Sequence, residues 1–86
     1  LDPRVVDVKA SEDYTLIVTF DNGEVRIFDV KPYLDRGIFV ELKNPVYFKT
    51  VKVIAGTVSW NDKQDFCPDT VYLKSVLVGK AQNRKK

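Results

Sequence analysis

The sequence contains no histidine and no methionine, and it has one cysteine (Cys67), one tryptophan (Trp60) and four glycines among 86 residues. Without histidine there is neither imidazole acid–base catalysis nor imidazole metal ligation. A single cysteine excludes an internal disulfide, and with it the stapled scaffold of many small secreted domains. No apolar run approaches the roughly 20 residues of a membrane-spanning helix, and no signal-peptide pattern opens the chain. A cytoplasmic protein is therefore expected. The first residue is Leu1 rather than Met, so the native start is expected upstream.

Basic residues are scarce where they would matter for a nucleic-acid grip. Of fourteen Lys and Arg, four (Lys80, Arg84, Lys85 and Lys86) lie at the C-terminal end. Residues 1–79 keep ten basic against twelve acidic side chains, a net of −2 beneath the formal +2 of the whole chain. A nucleic-acid surface needs clustered basic residues, so only weak, salt-sensitive contact through the tail is expected. The length suits one domain, which buries about 60–65% of the surface of its unfolded chain. We read residues 1–79 as that domain and 80–86 as a basic, flexible tail.

What is present reads as α+β. Val6, Val8 and Ala10 alternate with polar residues, as do Leu16, Val18 and Phe20, and Asn22-Gly23 is a strong hairpin signal. A two-residue turn there places Phe20 opposite Val25 and Val18 opposite Ile27. A three-residue link, Ser11 to Asp13, places Ala10 opposite Tyr14, Val8 opposite Leu16 and Val6 opposite Val18. The result is a three-stranded antiparallel meander. Its second face carries Glu24 and Arg26, with Ile17 and Phe28 as a small apolar spot.

Short helical turns follow. Pro32 to Arg36 is closed by Gly37, Phe39 to Leu42 forms another turn, and Asn44-Pro45 is an N-cap with an N1 proline. Phe39, Leu42, Tyr47 and Phe48 are the expected plugs. A second hairpin around Ala55-Gly56 pairs Val53 with Val58, although Ala resists positive φ and a longer loop is an alternative. Pro68 and Asp69 then start a short C-terminal helix that Gly79 stops. The β propensity of Val71, Tyr72, Val76 and Val78 leaves an extended end as the other option.

The segment Trp60 to Tyr72 links the last strand to that helix. Its spacing, a strand ending in Trp60, a polar turn, then Asp65-x-x-Pro68-Asp69-x-x-Tyr72, resembles the small prokaryotic proteins called domain of unknown function 2442. The likeness extends over about residues 4–76. It includes the strand ending at Phe20, Asn22-Gly23, Asp29 with Pro32 and Leu34, Phe39 with Leu42, and Phe48 before Val51 to Ile54. Two features depart from the family. The turn after Trp60 often carries a Gly there but reads Asn61-Asp62-Lys63-Gln64 here, and Leu is common where Phe66 and Val71 stand. The resemblance implies a small α+β fold without an assigned activity. Some relatives are fused to a helix-turn-helix domain, and others are encoded beside a second small protein in a toxin–antitoxin-like pairing.

Chemistry at this segment is thin. Asp62, Asp65 and Asp69 lack the central Gly and closing Glu of a calcium loop. Asp65 is expected to bind turn amides and Asp69 to complement the helix dipole, with carboxylate catalysis as the alternative. Cys67 lacks a base and is expected to be buried and structural. Trp60 and Tyr72 are expected as plugs, or else as interface anchors. No cofactor or metal is expected. The reading is a non-enzymatic interaction or regulatory module, with another small protein or a DNA-binding protein as the expected partner, and a homo-oligomer is left open. Trp60, Asp65, Pro68, Asp69 and Tyr72 are its candidate residues.

Overall fold

A computed structural model describes residues 2–81. The chain runs β1 (Val5–Ala10), β2 (Thr15–Phe20), β3 (Glu24–Asp29), two 3-10 turns (Lys31–Tyr33 and Gly37–Lys43) and α1 (Pro45–Phe48). Then come β4 (Lys52–Ile54), β5 (Thr57–Trp60), β6 (Gln64–Asp65), α2 (Pro68–Lys74) and β7 (Val76–Lys80). Two antiparallel sheets result, one ordered β1-β2-β3-β7 and the other β4-β5-β6. The α+β class stands. The meander gains β7 as a fourth strand, and the second hairpin gains β6 as a third.

The register of the first sheet departs from the sequence-based pairing at both turns. At Asn22-Gly23 the loop takes three residues, so Val18 faces Arg26 and Leu16 faces Phe28. Gly23 alone adopts positive φ (88°). The Asn22 side chain instead accepts a hydrogen bond from the Glu24 amide at 3.0 Å. A three-residue loop with a left-handed Gly is the next commonest hairpin after the two-residue form. The one-residue shift exchanges the faces of β3. Phe28 becomes core, Glu24 and Arg26 turn inward, and Val25 and Ile27 turn outward beside Ile17.

At the first turn, Ala10 lies opposite Leu16 rather than Tyr14, a shift of two that preserves the faces. Tyr14 is left-handed (φ 63°). Its ring meets Phe48 edge-on at 5.2 Å and its hydroxyl donates to the Lys43 carbonyl. A bulge between Val5 and Asp7 then buries Val5 and exposes Val6, the reverse of the alternation expected for that strand.

Cap and turn chemistry elsewhere forms as expected. The Asn44 side chain accepts from the Val46 and Tyr47 amides at the start of α1, and Gly37 is left-handed. Ala55-Gly56 forms a two-residue turn with both φ positive, and Val53 pairs with Val58. Arg4 donates to the Ala55 carbonyl at 2.8 Å and the Val5 amide to Gly56, joining β1 to the second sheet. Between the sheets, Leu16, Val18, Phe20, Phe28, Leu42, Phe48, Trp60 and Val71 are buried, with Phe39 and Tyr47 packed against them. Each fully buried large side chain contributes about 1.5–3 kcal/mol.

Candidate interaction surface

Trp60 ends β5 with no exposure. Its indole N–H donates to the Phe48 carbonyl at 2.7 Å, and its ring stacks on Phe48 at 5.8 Å. It is a plug, with no surface to offer a partner. Tyr72 sits elsewhere, on α2, with its ring edge-on to Phe20 at 5.1 Å and the Arg26 guanidinium 4.3 Å above it. The two aromatics therefore anchor different parts of the core and do not share a site.

Between them, β6 continues an in–out alternation: Gln64 in, Asp65 out, Phe66 in, Cys67 out. That period places the Cys67 thiol on the surface, correcting the expectation of a buried cysteine. It also turns the Asp65 carboxylate to solvent, where it accepts no hydrogen bond among the described residues. Pro68 and Asp69 occupy the first turn of α2. The three acids do not converge: among the described residues no group of three or more Cys, Asp or Glu side chains is placed to hold a metal.

Gln64 holds this corner instead. Fully buried, it accepts from the Tyr47 hydroxyl at 2.6 Å and donates to the Ile38 carbonyl and the Glu41 carboxylate, both at 2.9 Å. Lys63 pairs with Glu41 at 3.0 Å, and the bond holds the lysine above and the glutamate below their usual ranges. The turn before it places Asn61 and Asp62 at φ 54° and 56°. Asn and Asp tolerate that conformation best among residues with a side chain, so the turn forms without a Gly.

A second polar cluster joins α2 and β7 to β3. Arg26 donates from Nε to Ser75 Oγ at 2.8 Å, from Nη2 to the Ser75 carbonyl at 3.1 Å, and from Nη1 to Glu24 at 2.7 Å. Hydrogen bonds from Arg26 and then Tyr72 hold Glu24 below the carboxylate range, and the same Glu24 contact followed by burial raises the Tyr72 hydroxyl. Sequence reasoning missed this cluster because the unshifted register put Glu24 and Arg26 outside.

The exposed apolar surface lies on the opposite side of the same sheet. Register aligns Ile17 with Ile27 and Ile27 with Val76, a cross-strand row over β2, β3 and β7. Ile17 is 39% exposed and Val76 68%. Beside them Leu77 (49%) and Val78 (55%) leave β7 exposed along its whole length. This strand ends the sheet, and among the described residues no strand pairs its outer edge. Sequence reasoning found Ile17, placed Ile27 on the buried face, and held the extended end that forms β7 only as the alternative to a helix. The β-branched Val76 and Val78 carried the available signal for that strand. Lys80, assigned to the tail, pairs with Glu24 inside β7, while Arg84, Lys85 and Lys86 lie outside the described residues. No helix among the described residues is long and apolar enough to cross a membrane. An open hollow of about 280 Å³, lined by Tyr47, Lys52, Asn61 and Asp62 among others, lies on the second sheet.

A family model described as protein of unknown function (DUF2442) matches residues 5–76, from the first residue of β1 to the first of β7. No curated protein and no solved structure matches the chain.

Proposed function

Because the chain belongs to the DUF2442 family of proteins of unknown function, we propose its role from its surface: a non-enzymatic protein-interaction module that binds a partner through the outer face of the four-stranded sheet. The observation that carries this reading is the row Ile17–Ile27–Val76, three apolar side chains from three strands on the outer face of the sheet, with Ile17 and Val76 exposed and Ile27 half-buried between them. Contiguous exposed apolar patches on a monomer mark contact surfaces more often than isolated apolar residues do. The partner is a second small cytoplasmic protein in a two-component, toxin–antitoxin-like pair, or a DNA-binding protein that the module serves.

Isolation of the tagged chain from its native host tests this. The wild type is expected to bring down a stoichiometric partner, and the Ile17→Lys, Val76→Lys double variant to lose it while keeping its far-ultraviolet circular dichroism. Repeated recovery of a lone monomer, or an undiminished partner on the double variant, would contradict the reading.

A further inference from the structure

The open edge of β7 lies in a stretch of sequence whose charge is unlike that of the rest of the chain. The last acidic residue in the sequence is Asp69; after it come Lys74, Lys80, Arg84, Lys85 and Lys86 and no Asp or Glu. Thus β7 lies in a stretch of sequence carrying five positive charges, after residues 1–73 that total −3. Lys74 precedes the strand and Lys80 ends it, while Val76, Leu77 and Val78 between them are uncharged and exposed. An unpaired edge offers alternating N–H and C=O groups to an incoming strand. Five residues of strand span about 17 Å, enough to bond a short extended peptide.

We infer that β7 is a docking edge for an extended acidic segment of a partner protein, which adds as a fifth strand to the β1-β2-β3-β7 sheet. The inference rests on the interaction reading above and names its occupant and mode. Backbone pairing along an edge supplies affinity, and alternate side chains supply specificity. Here the alternate apolar side chains of the incoming strand extend the Ile17–Ile27–Val76 row, and its carboxylates meet Lys74 and Lys80. A second copy of this chain is the poorer occupant, since pairing β7 with itself brings Lys74 and Lys80 of the two copies together. Like-charge juxtaposition of that kind suppresses wrong partners.

Selection of a displayed library of random twelve-residue peptides against the immobilised full chain tests the inference. Enriched peptides are expected to alternate apolar or β-branched residues with an excess of Asp and Glu. The synthesised best binder is expected to slow amide exchange in residues 76–80 and to bind more weakly as salt rises. Val78→Glu, which sets a carboxylate on the edge, is expected to reduce its affinity by more than about tenfold. Lys74→Gln, on an exposed position of α2 and harmless to folding, is expected to reduce it about two- to fivefold. No enrichment, neutral or basic winners, protection away from 76–80, or unchanged affinity in Lys74→Gln would each overturn it. So would protection of β7 that grows with protein concentration alone, the sign of a second copy on the edge. A native partner whose footprint leaves residues 76–80 unprotected ends this inference and leaves the interaction reading standing; isolation without any partner ends that reading itself.

Discussion

Ala55 is poorly suited to its backbone conformation. At φ 53° it lies in the left-handed region, which costs an ordinary side chain about 1–2 kcal/mol. Glycine avoids that cost but adds about 0.5–1 kcal/mol of unfolded-state entropy. Ala55→Gly is therefore expected to stabilise the chain by roughly 0.5–1 kcal/mol, measured as a higher urea midpoint. Asn61→Ala makes the opposite change at φ 54° and is expected to cost about 1 kcal/mol. Gln64 carries a larger penalty. Gln64→Leu retains the volume but takes away the side-chain donor of the Ile38 carbonyl and leaves the Tyr47 hydroxyl only its longer bond to the Trp60 carbonyl at 3.3 Å. A loss of about 1–3 kcal/mol is expected in the same measurement, the cost of one stranded group. Equal midpoints for Gln64→Leu and wild type would remove Gln64 from its structural role.

Elements that depend on local chemistry were legible in the sequence. Asn44-Pro45 starts α1 because the cap needs only its own side chain and the next two amides. Register was less legible. The Asn22-Gly23 turn is where it was expected, but its length depends on the Asn22 side chain capping Glu24, which a dipeptide preference does not contain. The C-terminal element shows the same limit. Val71, Leu73, Val76 and Leu77 fit a helix, yet the helix stops at Lys74 and Ser75 turns extended (φ −94°, ψ 164°). Arg26, 49 residues away in sequence, binds both the hydroxyl and the carbonyl of Ser75 there. Tertiary contact decides between helix and strand at that point.

The cluster tying α2 to β3 also sets a pH dependence. Glu24 has a lowered pKa, so its contribution is present above the ordinary carboxylate range and is lost as pH falls through the folded value. Tyr72 has a raised pKa, so its contribution is present below the ordinary value of 10.0 and is lost as pH rises through the folded value. A stability plateau between about pH 5 and 9 with falls on both sides is expected. Glu24→Gln is expected to shallow both falls in a series of urea midpoints. Superimposable pH profiles would show that the cluster does not couple to stability.

At the scale of the molecule, the two sheets enclose one core, and the Trp60 to Tyr72 segment turns its apolar residues into it while Asp65 and Cys67 face solvent. Trp60, Gln64 and Phe66 fill space between the sheets, so the segment that carries the family likeness is structural. The surface left uncovered is the outer face of the first sheet with its β7 edge. Sequence reasoning could not place it there, because the outward turn of the half-buried Ile27 follows from the one-residue register shift and exposure of β7 from its position at the end of the sheet.

Hydrogen–deuterium exchange of the chain alone and in the assembly isolated from its native host tests the central claim most directly. Protection on assembly is expected in β2, β3 and residues 76–80, with Trp60 to Tyr72 exchanging at the same rate in both states. Protection centred on Trp60 to Tyr72, with residues 76–80 unchanged, would contradict it.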